Sequence, residues 1–152
     1  AELHKNPDLH PIIPLVEMIY SRDSTVYYFD PNDASLPHGT VQSRTGVRQG
    51  DPLGPLLFNL AISTPLENIG ERCKDSAAIQ AFSDDGKYLI KTPFVPTVIT
   101  VATEEMGKVC SNVQPIKSSC MVPPDTALEL VEVIRAMVPV VTGTDNLGAP
   151  LA

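Results

Sequence analysis

The sequence predicts a mixed helix and strand fold, α+β or α/β. Apolar residues recur at helical spacing in several segments, β-branched and aromatic runs lie between them, and turn-forming residues separate the runs. With 152 residues and 43% apolar content, the chain is long enough for one domain with its own core and too short for several. A single domain over residues 1–152, itself one part of a larger one, is the expectation. The chain opens on Ala1 and a helical pattern follows almost at once, so the N-terminus is expected to be a cut point.

From Asn6-Pro7 to Tyr20, the residues Leu9, Ile12, Val16 and Ile19 lie at helical spacing, with Asn6 as N-cap and Pro7 as the first helical residue. Pro11 and Pro14 limit how early the regular helix begins. The run from Ser24 to Phe29 reads as a strand, Asp30 to Gly39 as a turn-rich loop, and Val41 to Val47 as the partner strand. Asp51-Pro52 starts a second helix, with Leu53, Leu56, Leu57, Leu60 and Ala61 on its apolar face. It should run to about Ile69, with Pro65 bending or ending it. Two short apolar runs, Ala77 to Phe82 and Lys87 to Lys91, flank Ser83-Asp84-Asp85-Gly86 and read as a β-hairpin. Thr92-Pro93 caps a third helix towards Val109, against a β-branched run from Thr97 to Val101 that also suits a strand. Ile116 to Val122 reads as a strand, Asp125 as the cap of a helix from Leu128 to Met137, and Val138 to Val141 as a further strand.

Composition narrows the function classes. No stretch approaches the roughly 18 to 20 apolar residues that cross a bilayer, so no membrane association is expected. Cys73, Cys110 and Cys120 are widely spaced and form no C-x-x-C pair, which argues against a disulfide framework and a zinc site and predicts an intracellular, reducing environment. The net charge of −7 disfavours a nucleic-acid binder taken as a whole, because Lys and Arg make the phosphate contacts. The charge is uneven, however. Arg44 and Arg48 flank the most distinctive motif, whereas acidic residues gather in segments such as Leu128 to Arg135.

Two motifs can carry chemistry. Asp84 and Asp85, at the expected hairpin tip, offer adjacent hard oxygen ligands of the kind that suit Mg²⁺ or Mn²⁺. The same Asp-Asp-Gly equally serves as a plain turn. In Gly46-Val-Arg-Gln-Gly50-Asp-Pro-Leu, the glycines allow close backbone approach to a ligand, Gln49 donates and accepts hydrogen bonds, and Arg48 can meet a phosphate. A tight strand-to-helix connection capped by Asp51 accounts for the Gly, Asp and Pro as well.

Taken together and in this order, Gly46-Val-Arg-Gln-Gly-Asp-Pro-Leu-Gly-Pro-Leu-Leu-Phe58 and Ala81-Phe-Ser-Asp-Asp85 resemble the reverse transcriptases of non-LTR retrotransposons, and the wording of the first is most similar to site-specific elements of trypanosomatid protozoa. The resemblance covers most of the chain. Ile116-Lys-Ser118 resembles the later lysine-bearing strand, and Leu147-Gly-Ala-Pro150 the hairpin that supports the primer. It implies an α+β polymerase palm, a small antiparallel sheet backed by helices, and a parent activity of RNA-directed DNA synthesis by two-metal nucleotidyl transfer. Asp84 and Asp85 would then ligate Mg²⁺ or Mn²⁺. Gly46, Arg48, Gln49 and Gly50 would line the site for the incoming nucleotide and template base, and Lys117 would sit near the triphosphate, assisting proton transfer to the leaving pyrophosphate. The implied partners are an RNA template, a DNA primer, a dNTP and the rest of a retrotransposon polyprotein, with the parent element acting in the nucleus.

The departures from the pattern matter. The family carries a further metal-binding aspartate in a strand upstream of the first helix, for which Asp8 is a poor substitute. A thumb would follow Ala152, and Ser83 replaces the usual small apolar residue before the aspartates. The expectation is therefore a partial palm, inactive as an isolated chain. A non-catalytic remnant or interaction module is the alternative reading, and a fragment of an RNA-dependent RNA polymerase the third.

Overall fold

The computed structural model describes residues 2–48, 50–83, 85–142, 144–146 and 149–151. The fold is mixed α+β, with short helices and small antiparallel two-stranded sheets. The chain divides into two compact units, Ala1–Ala61 and Ile62–Ala152.

In the first unit, α1 (Glu2–Lys5) leads to a 3₁₀ helix Pro7–Ile12 and then α2 (Ile13–Tyr20). The Asn6 side chain accepts the Asp8 N–H at 3.1 Å, as the N-cap reading expects. Pro11 and Pro14 lack donors, and the regular α-helix begins only at Ile13. β1 (Ser24–Asp30) pairs antiparallel with β2 (Asp33–Ser43).

This corrects the loop expected over Asp30 to Gly39. Only Pro31 and Asn32 turn, with Asp30 Oδ1 accepting the Asn32 N–H at 2.8 Å, and the chain re-enters the ladder at Asp33. Register shifts on both sides of the Phe29–Pro37 pair skip His38 and residues 34–36 of β2, and Pro37 stands at this irregularity, where a sheet tolerates a residue without an N–H. The partner strand ends at Ser43, short of the expected Val47. Opposite Tyr28 stands Gly39, where a Cβ would lie 2.3 Å from the Tyr28 hydroxyl, so the ring occupies the space a side chain would need.

The second unit contains the core. α3 (Gly54–Cys73), whose latter part belongs to it, does not end at Pro65 but continues for two further turns, past the expected end near Ile69. Ile62, Leu66, Ile69 and Cys73 recur at helical spacing around the proline, and burial of Ile69 and Cys73 holds the helix where a ladder bond is missing. β3 (Ala77–Phe82) and β4 (Asp85–Ile90) form the expected hairpin, and after a 3₁₀ turn Thr92–Phe94 the helix α4 (Val95–Gly107) follows. The β-branched run within α4 is helical because Val95, Val98, Val101 and Ala102 there form a buried stripe. Ile69, Cys73, Val98, Val101 and Ala102 make one cluster, with Ala77, Ile79, Tyr88 and Ile90 of the hairpin laid on it.

Glu105 of α4 is 2% exposed and ties α4 to α3. Its Oε2 accepts from Lys108 Nζ at 2.6 Å and Asn68 Nδ2 at 3.0 Å, and its Oε1 from Arg72 Nη1 at 2.7 Å. A buried carboxylate is tolerable only when saturated in this way. The Lys108, Asn68 and Arg72 donors hold its pKa at about 2, below the ordinary 4.5.

α5 (Leu128–Arg135) closes a second cluster of Val95, Ile134 and Val138. Asp125 is not its cap. Thr126 N–H donates to the Pro123 carbonyl at 3.1 Å, so Pro124 and Asp125 form the middle of a turn that proline favours, and the helix starts after Ala127 without a side-chain cap. It also stops at Arg135, short of Met137, whose N–H turns back to the Ile134 carbonyl at 2.9 Å.

The strands expected over Ile116 to Val122 and Val138 to Val141 reduce to one parallel bridge, Cys120 with Val140. Pro115 opens a 3₁₀ turn Pro115–Lys117 that leaves Ile116 95% exposed, and Pro139 has no N–H for a ladder. A last hairpin pairs β5 (Thr144–Asn146) with β6 (Ala149–Leu151), where the sequence resemblance put one, although Leu147 and Gly148 lie outside the described residues.

Ile134 is fully buried, so Ile134→Ala should lower unfolding stability by about 2 to 5 kcal/mol in a urea titration. Glu105 titrates lower folded than unfolded. Its stabilising contribution is therefore complete above about 4.5 and disappears as pH falls from there towards about 2. Urea titrations across this range should show that acid loss, and Glu105→Gln should be less stable at neutral pH with a flatter acid limb.

Candidate functional site

The loop between β2 and α3 is set by backbone direction. Gly46 and Gly50 have φ of 81° and 84°, and no atom lies within 4 Å of where a Cβ would stand on either. Glycine is required there by the left-handed conformation, which costs other residues about 1 to 2 kcal/mol, and not by crowding. Asp51 closes the loop: its Oδ1 accepts the Leu53 N–H at 2.8 Å and its carbonyl the Gly54 N–H at 2.9 Å. The expected helix start at Asp51 is thus a turn that hands the chain to α3 three residues later.

Arg48, expected to face a phosphate, is engaged within its own unit. Its Nη2 donates to the Ile19 carbonyl at 2.8 Å, and its guanidinium carbon stands 5.3 Å from the Tyr20 ring centroid, a cation–π geometry. The Tyr20 hydroxyl donates to Asp51 Oδ2 and accepts the Arg48 backbone N–H at 3.4 Å. The Tyr20 hydrogen bond, then the Leu53 N–H, hold the Asp51 carboxyl below its usual range, and the same bond to Asp51 pushes the Tyr20 phenol up. The C-terminal end of α2 is therefore latched onto the Gly46 to Gly50 loop. Tyr20 and the Ile19 carbonyl are contacts of the candidate loop that the sequence does not single out. The one signal for them was an aromatic residue with a polar tip in the last turn of an apolar helix.

The hairpin motif lies in the second unit. β3 and β4 pair as far as Phe82 opposite Asp85, which leaves two residues for the turn. Ser83 there has φ 53°, the left-handed sign that tight hairpin turns need. Alternation along β4 sends Tyr88 and Ile90 into the core, while Asp85, Lys87 and Leu89 point to the opposite face. That face is open: Phe82 is 70% and Leu89 80% exposed, and Asp85 is exposed beside them. Asp84 and Gln49 lie outside the described residues. Lys117, expected on a strand, is exposed at the end of the 3₁₀ turn, and no ion pair joins it to Asp85.

Among the described residues, no group of three or more His, Cys, Asp or Glu side chains is placed to hold a metal ion, and no helix is long and apolar enough to cross a membrane. No protein-family model, curated protein or solved structure matches the chain. Tyr20→Phe removes the donor that lowers Asp51, so the Asp51 carboxyl should titrate at higher pH in the variant, followed by carboxyl carbon NMR. An unmoved titration would mean that the latch does not form in solution.

Proposed function

We propose that the chain is part of a reverse transcriptase palm whose parent enzyme carries out RNA-templated DNA synthesis. One observation carries this reading: Asp85 follows a two-residue turn onto the open face of a helix-backed hairpin, downstream of a loop that reads Gly46-Val-Arg-Gln-Gly-Asp-Pro-Leu. In the parent reaction a primer 3′-hydroxyl attacks the α-phosphate of a dNTP and pyrophosphate leaves.

The Asp85 carboxylate offers exposed, hard oxygen ligands at the start of a strand, which fits Mg²⁺ or Mn²⁺. Asp84 and Asp85 would hold the metal. Two such ions, when bound, stabilise charge on the attacking and leaving oxygens. The backbone of Gly46 and Gly50 would let a nucleotide and its template base approach closely, Gln49 would supply hydrogen bonds to them, and Lys117 would donate a proton towards the leaving group. Arg48 would act by positioning this loop through Tyr20. RNA template, DNA primer, dNTP and the remaining polyprotein are the proposed partners.

A second reading, a non-catalytic remnant or interaction module, is favoured by the net charge of −7 and by the internal engagement of Arg48. Calorimetric titration of Mn²⁺ separates the two. Saturable binding that Asp84→Asn and Asp85→Asn each abolish is expected for the palm, whereas a wild-type isotherm indistinguishable from the variants would leave only the remnant.

A further inference from the structure

We infer that the outer edge of β1 is a self-association surface, on which a second copy of this chain adds its own β1 antiparallel to form a four-stranded sheet. The need for a partner comes from the first unit itself. Its described residues include no buried apolar side chain, since every residue of the buried apolar core lies between Ile62 and Val138. Val26, Tyr27, Tyr28 and Phe29 are each about half exposed, so both faces of the β1–β2 ribbon meet solvent. A lone two-stranded ribbon is marginal in water, and further strands make it stable.

The two edges of the ribbon are unequal. β2 carries Pro37, which has no N–H, and the register shifts beside it, features that blunt an edge against pairing. β1 carries neither proline nor charge from Ser24 to Phe29, and from Thr25 to Phe29 its residues are β-branched or aromatic. Such an edge invites strand addition.

Charge selects a second copy as the occupant and sets the register. Exposed Arg22 and the Asp23–Arg44 ion pair, 3.2 Å apart, precede the neutral run and leave that end net positive, while Asp30 ends the run, so two antiparallel copies bring the Arg22 end of each against the Asp30 end of the other. Pairing Arg22 with Asp30 puts Val26 opposite its own copy on the two-fold axis. Tyr27 then faces Thr25, and Tyr28 faces Ser24, pairings of aromatic and small or β-branched residues that suit a sheet. The exposed ion pairs fix register more than they add affinity.

Sedimentation velocity on the full chain over a wide concentration series tests this. A reversible monomer–dimer equilibrium is expected. Val26→Lys sets two ammonium groups face to face at the axis and should leave monomer, with an unchanged circular dichroism spectrum showing that the fold survives. Arg22→Asp should raise the dimer dissociation constant about tenfold, and adding Asp30→Arg should restore it. A monomer at every concentration overturns the proposal. So does a dimer indifferent to Val26→Lys, or a charge-swapped double variant that stays as weak as the single one.

Discussion

The Glu105 carboxylate is buried between two helices that would otherwise be free to slide along an apolar seam. Three donors, from Asn68 and Arg72 on α3 and from Lys108 just past α4, saturate it. Apolar contacts among Ile69, Val98, Val101 and Ala102 supply attraction without direction, and the carboxylate supplies the direction. With α3 and α4 in fixed register, the inward face of the β3–β4 hairpin has one seat, through Ile79, Tyr88 and Ile90. The outward face, with Asp85, follows from strand alternation alone. The proposed metal-binding edge thus depends on a polar contact between the helices that support it, made by a residue of the same buried stripe of α4.

The two units show contrasting ways of holding a ribbon. In the second, the hairpin lies on a dry cluster and one face remains open. In the first, the ribbon has half-exposed residues on both faces, and specific polar contacts do the organising: Tyr20 to Asp51, Arg48 to the Ile19 carbonyl, Asp51 to Leu53. Hydrogen bonds of this kind set direction well and add little net stability each. These contacts direct Arg48 and Asp51 while the described residues of their unit include no buried apolar cluster.

Much of this architecture was legible in the sequence where periodicity and local chemistry agree. The α3 stripe, the hairpin around Ser83, the Asn6 cap and the amphipathic α5 all follow from nearest-neighbour patterns. The errors share a cause, which is that prolines and acidic residues signal turns whether or not a ladder can absorb them. Pro37 pairs with Phe29 between two register shifts, and Pro65 rides inside α3 because residues on both sides of it are buried. Asp125 forms a turn after two prolines instead of a cap. The motif residues stand out by their wording, but what Arg48 touches does not, because Ile19 and Tyr20 lie a whole hairpin upstream. Glu105 escaped as well: a glutamate beside another glutamate in a helix reads as surface, and only the fold reveals its three donors.

The Tyr28 ring folded over Gly39 has a further consequence for how this ribbon can change over generations. Any side chain at position 39 must displace the ring, and any smaller residue at position 28 uncovers a glycine that then only loosens the strand. Neither site can drift alone without loss, so the two positions should behave as one heritable unit, altered together or not at all, while their half-exposed neighbours vary independently.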